Sequence, residues 1–135
     1  MASSIFSKIV SGQIPCYKVA ENRDFLAFLD IRPLTKGHTI VIPKKEVDYL
    51  FDLDDDTYAG LMAFAREVAI LLKEVIPCKR VSLIVLGFEV PHAHIHLIPS
   101  ETEADVNFNH PRVDLQKEQM ITISSQLFEK FKNRD

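Results

Sequence analysis

The order of apolar and polar positions divides the chain into a short helix, three short runs, one long helical stretch, two more short runs and a closing helix. Ile5, Phe6, Ile9 and Val10 recur at helical steps after Ser3, which predicts a short helix capped by Ser3 and ended by Gly12. Cys16 to Ala20 and Phe25 to Asp30 flank the polar Glu21-Asn22-Arg23-Asp24, the pattern of a β-hairpin. His38 to Pro43 is rich in β-branched residues and follows a turn containing Gly37, so it predicts a third strand. From Asp54 the spacing lengthens: Tyr58, Leu61, Ala65, Val68, Leu72 and Val75 form one face of the longest helix, closed by Pro77. The aspartates 54 to 56 suit its positive N-terminal end better than a metal loop, because no further oxygen-ligand spacing follows. Arg80 to Leu86 is almost continuously apolar and predicts a fourth strand buried on both faces. Residues 100 to 111 are polar with scattered aromatics and predict a loop holding a solvent-exposed His110. Met120, Ile123, Leu127 and Phe131 then predict a terminal amphipathic helix.

Between these last elements lies Pro91-His92-Ala93-His94-Ile95-His96-Leu97-Ile98-Pro99. Side chains of an extended strand alternate between faces, so the three histidines would line one face and Ala93, Ile95 and Leu97 the other. A helix would turn about 200° at each step of two and form neither row. The link from Gly87 to Pro91 is too short for a parallel crossover and predicts an antiparallel neighbour.

A chain of 135 residues suits one domain, taken as 1–135, with a core that needs no disulfide or metal staple. Its hydrophobic share is 47% and its charged share 26%, ordinary for a globular protein, and no apolar run reaches the ~18 residues of a membrane span. Met1-Ala2-Ser3-Ser4 lacks the basic-then-apolar order of a leader, so a cytoplasmic location without membrane partners is expected. Cys16 and Cys78 have no metal-type spacing and read as packed thiols. A net charge of -3 speaks against a nucleic acid polymer as partner and leaves a single nucleotide open.

Three neighbouring imidazoles are a poor purely structural choice, since they repel one another when protonated. Two chemistries remain. Zinc favours histidine, but residues two apart on one strand sit roughly 6.5 to 7 Å apart and do not easily converge on one ion; Arg80 to Leu86 adds no ligand. A row of imidazoles also suits an extended phosphate chain, with one ring attacking phosphorus and others holding oxygens or handling protons. The residues alone leave these two readings level.

The run His92-Ala93-His94-Ile95-His96-Leu97-Ile98 resembles the signature of the histidine triad, or HIT, superfamily. Ser4 to Ile9, Phe28 to Pro33 and Gly37 to Lys45 resemble three further motifs of that family, in its order. The resemblance implies an α+β fold with about five antiparallel strands, a homodimer, and a purine nucleotide as substrate. It implies a hydrolase or transferase that cleaves phosphoramidates, adenylates or dinucleoside polyphosphates at the α-phosphate through a nucleotidyl-histidine. On that match His94 is the nucleophile, His92 orients it through its backbone carbonyl, His96 binds the phosphate and assists the leaving group, and His38 completes the cluster. Asp30 and Ile31 meet the ribose, while Phe6 and Glu89 also belong to the nucleotide site.

Three departures from the family pattern stand out. Ser4, Ser7 and Glu46 occupy positions where many relatives carry two cysteines and a histidine of a structural zinc site, so neither a metal nor any other cofactor is expected. Phe88 and Glu89 stand where relatives have a glutamine and a hydroxyl, in a shortened link, which raises the alternative of a nucleotide-binding module with little catalysis. The helix at 116–132 has no counterpart in the commonest branches, and lid, dimer contact and simple packing are all open for it.

Overall fold

A computed structural model describes residues 3–134; Met1 and Ala2, read above for a leader, and Asp135 lie outside the described residues. Five strands form one antiparallel sheet: β1 Lys18–Glu21, β2 Phe25–Leu29, β3 Thr39–Pro43, β4 Arg80–Ile84 and β5 Ile95–Ser100. Their spatial order is β1-β2-β3-β5-β4. Three helices complete the fold: α1 Ile5–Val10, α2 Asp55–Val75 and α3 Lys117–Lys132. This is the expected α+β architecture with five antiparallel strands.

The sheet separates two apolar clusters, and the alternation along each strand decides which side chain enters which. Ala27, Leu29, Val41, Ile95 and Leu97 point into the larger cluster beneath α2 and α3. Leu26, Phe28, Ile40 and Ile42 point to the opposite face, where Phe6 of α1 covers them. Each helix begins where an oxygen can satisfy a free backbone amide. Ser4, one residue later than expected, caps α1 through the amide of Ser7, and Asp54 caps α2 through that of Thr57. Gly37 takes φ +90 in the turn that feeds β3, and a Cβ there would meet Ile76 at 3.0 Å.

Two expectations need correction. Arg80 to Ile84 is an edge strand instead of one buried on both faces: it pairs only with β5, and Leu83 remains 45% exposed. Continuous apolarity cannot by itself distinguish a central strand from an edge. Regular pairing of the histidine stretch begins at Ile95 and not at His92, so His92 and His94 stand on the extended segment that leads into β5. The face alternation nevertheless holds, since Ala93, Ile95 and Leu97 all join the larger cluster.

The terminal helix buries Met120, Ile123, Leu127 and Phe131 in that same cluster, against β1 and α2 of its own subunit. His110 is exposed, as expected, and the loop around it contains one short helical turn at Glu103–Val106.

Candidate active site

A cavity of about 570 Å³ opens on the sheet face opposite α2, between α1, the β2–β3 turn, residues 86–90 and the loop after β5. His94 and His96 form its floor, and Phe6, Asp30, Ile31 and Glu89 line it. Phe6 is buried and meets the His94 ring edge-on at 5.0 Å between centroids. Ile31 is 77% exposed at the rim. His38 and His92 are fully buried behind the floor, so they act on the site through other groups.

The hydrogen bonds assign a tautomer to each ring. A backbone carbonyl can only accept and a backbone amide can only donate, and a neutral imidazole has one nitrogen of each kind. His94 Nδ1 lies 2.7 Å from the carbonyl oxygen of His92 and therefore carries the proton. Its Nε2 lone pair is left for the cavity. The same segment is held in place by the amide of Ala93, which donates to the carbonyl of Val47 at 2.6 Å.

His38 and His96 are ordered the opposite way. The Leu34 amide donates to His38 Nδ1 at 3.0 Å, so His38 is protonated at Nε2. That nitrogen lies 3.0 Å from His96 Nδ1 and donates to it, which leaves the His96 proton on Nε2. The floor of the cavity thus offers a lone pair from His94 beside an N–H donor from His96, their ring centroids 5.0 Å apart.

All three rings favour the neutral form. Burial lowers the His38 pKa to about 3, aided by the neighbouring His96 and Arg112. Burial likewise lowers His96 to about 4, with His94 and Arg112 acting in the same direction. For His94 burial again outweighs the hydrogen bond to His92, and its pKa falls below 6.5. A neutral imidazole is the nucleophilic form. Asp30 receives the Arg32 amide at 2.8 Å, and burial raises its carboxyl pKa. Its other oxygen lies 3.6 Å from His38 Nε2, a contact with a neutral ring and not an ion pair.

Asp30, His38 and His96 bring ligand atoms within 4.8 Å of one another and are the group here that could hold a metal. Spacing along one strand did not reveal this grouping, since it spans three elements. The hydrogen bonds oppose such use. Freeing His38 Nε2 for an ion would move its proton to Nδ1, facing the Leu34 amide, donor against donor.

Ser4, Ser7, Glu46 and His92 do converge behind His94, as a hydrogen-bonded cluster. His92 Nε2 donates to the Pro43 carbonyl at 2.8 Å, so its Nδ1 accepts from the Ser4 hydroxyl at 2.8 Å. Glu46 Oε1 accepts from the Ser4 amide at 2.7 Å and the Ser7 hydroxyl at 2.6 Å. These bonds hold the Glu46 carboxyl pKa below its usual range. Two neutral hydroxyls, one carboxylate and one imidazole already engaged do not match the thiolate and imidazole set that structural zinc prefers.

The sequence reading missed Phe108 and Arg112, which come from the loop after β5. Phe108 packs edge-on against His96 at 5.0 Å and against His38 at 6.1 Å. Arg112 lies over the Phe108 ring at 5.4 Å and lines the cavity. An aromatic and an arginine four residues apart in a polar loop were the only signal. Phe88 is 92% exposed at the rim, and Glu89 is exposed beside it. Half-buried Cys16 also lines the cavity, and neither cysteine is in a disulfide.

Comparison with known proteins agrees with this geometry. The family model described as HIT domain matches residues 11–103. An adenosine 5'-monophosphoramidase of Schizosaccharomyces pombe is 35% identical over 133 residues, spanning 96% of this chain and 99% of its own. A hypothetical histidine triad nucleotide-binding protein of Sulfolobus tokodaii superposes with a TM-score of 0.82 at 28% identity, over 96% of this chain and 92% of its own. A zinc-bound histidine triad protein of Mycobacterium smegmatis superposes with a TM-score of 0.77 at 30% identity, over 93% of each chain.

Proposed function

The chain belongs to the histidine triad family and is a nucleotide hydrolase or transferase, and from that membership we propose that it acts on purine nucleoside phosphoramidates, adenylates or dinucleoside polyphosphates. Cleavage falls at the α-phosphate, through a nucleotidyl-His94 intermediate. The observation that carries this reading is the pair of opposed tautomers: a free Nε2 on His94 beside an Nε2–H on His96.

In the first step the His94 Nε2 lone pair forms a bond to the α-phosphorus while the bond to the leaving amine, carboxylate or phosphate breaks. The Nδ1 proton stays on His94, and the His92 carbonyl that accepts its hydrogen bond stabilises the positive charge that the ring acquires. His96 Nε2–H binds a phosphoryl oxygen. With a pKa of about 4 that ring is neutral at pH 7, so its part is donation to oxygen, and the proton for a leaving amine comes from water. In the second step a water oxygen bonds to phosphorus as the Nε2–phosphorus bond breaks, the water's proton passes to solvent, and the nucleoside monophosphate leaves His94 neutral with its proton on Nδ1. Asp30 and Ile31 take the ribose, and Phe6 fixes the wall against which the nucleotide rests.

Residues 1–135 are read as one HIT domain, with α3 as part of its core. Two copies pair across the exposed side of β4 and α2. That reading is supported by Leu83, by a second hollow of about 470 Å³ lined by Met62, Arg66, Ala69 and Val81, and by the unpaired edge of β4. No helix among the described residues is long and apolar enough to cross a membrane.

The test is turnover of an adenosine phosphoramidate and of diadenosine polyphosphates by wild type and His94→Ala. Loss of turnover in the variant, with a nucleotidyl adduct trapped on the wild type, is expected; equal turnover refutes the role of His94. The exposed Phe88 and Glu89 favour a second reading, a purine-nucleotide-binding module with little catalysis. Tight nucleotide binding without any adduct would establish that one instead.

A further inference from the structure

With the histidines neutral, the cavity needs another source of positive charge to hold a phosphate. Its lining contains two carboxylates, Asp30 and Glu89, and two cations, Arg32 and Arg112. Arg32 is exposed, and its main-chain amide, rather than its side chain, is what binds Asp30. Arg112 is held. Its guanidinium lies over the Phe108 ring, and its Nη1 donates to the Arg32 carbonyl at 3.0 Å. Phe108 is itself wedged against His96 and His38, so the cation is fixed relative to the two rings deepest in the site.

Resting on the nucleotide reading above, we propose that Arg112 is a binding residue for the α-phosphoryl oxygens of the substrate. It supplies from the loop after β5 the charge that the triad lacks. Two further observations support it. Among the described residues the guanidinium has no carboxylate ion-pair partner, its contacts being the Phe108 face and one carbonyl, so most of its five N–H donors remain for a ligand. Arg112 also lies within electrostatic reach of three groups of the site, for its charge acts on Asp30, His38 and His96. The residue falls outside the stretch that the HIT domain model matches, which ends at 103. It suits a site whose link before the triad offers Phe88 and Glu89 in place of polar donors.

The experiment is calorimetric titration of the intact protein with AMP and with adenosine, for wild type, Arg112→Gln and Arg112→Lys, with thermal melts to confirm that each variant is folded. Arg112→Gln should weaken AMP binding by about tenfold or more, the loss expected for a charged hydrogen bond, and leave adenosine within about twofold. Arg112→Lys, which keeps the charge without the planar fork, should fall between. Unchanged AMP affinity in folded Arg112→Gln overturns the proposal, and so does an equal loss for AMP and adenosine, which would mark Arg112 as a wall of the pocket. Wild-type protein that binds neither ligand would instead overturn the nucleotide reading itself.

Discussion

His38 Nε2 lies 3.0 Å from His96 Nδ1, and the His38 ring is anchored at its other nitrogen by the Leu34 amide. One backbone N–H thereby sets the proton position on a ring that faces the substrate, two residues away through the chain of bonds. The His92 carbonyl sets His94 the opposite way. Ring-nitrogen NMR of the neutral protein should accordingly report His94 protonated at Nδ1 and His96 at Nε2. Finding both in the same tautomer would break the division of labour between nucleophile and donor.

Acid should weaken the fold through the same rings. His38 and His96 have folded pKa values of about 3 and about 4, below the 6.5 of a free imidazole. Between those values and 6.5 the unfolded chain binds more protons, so stability is complete above about pH 6.5 and falls as pH drops, by up to about 1.4 kcal/mol per pH unit for each ring. Urea melts at pH 7.5, 6.5, 5.5 and 4.5 measure this. His38→Gln should flatten the slope, and a slope unaltered by that change would contradict the assignment.

The Ser4–His92 bond predicts a cost of about 1–2 kcal/mol for Ser4→Ala, because the fully buried His92 Nδ1 then keeps only the 3.4 Å contact with Ser7. Denaturant unfolding reads it directly. The convergence of Ser4, Ser7, Glu46 and His92 also predicts that the combined variant Ser4→Cys, Ser7→Cys, Glu46→His takes up one zinc per chain, since it provides two thiolates and two imidazoles. Metal analysis after dialysis should find zinc in the variant and none in the wild type.

The proposed pairing of two copies across β4 and α2 predicts that Leu83→Glu gives a monomer in sedimentation velocity while the wild type sediments as a dimer. In such a pairing a carboxylate at position 83 would be buried without a partner. An unchanged sedimentation coefficient would move the dimer contact elsewhere.

Some of this protein was legible in its residues. Helical spacing located α2 and α3, an apolar run of a hairpin located β2, a β-branched run located β3, and the period of two assigned histidines and core residues to opposite faces, because those patterns are local in the chain. The four motifs placed His38 and Asp30 near the triad by resemblance. Three things were settled only by tertiary structure. β4 is an edge because of which strand it joins, a matter of topology that no apolar run encodes. The tautomers depend on Leu34, Pro43 and the His92 carbonyl, main-chain groups with no signature in residue type. Phe108 and Arg112 reach the site only because the loop after β5 folds back over His96, so their part in it rests on long-range contacts. The sequence by itself determined which atoms could react, and the fold decided where each proton sits and which cation is held at the cavity wall.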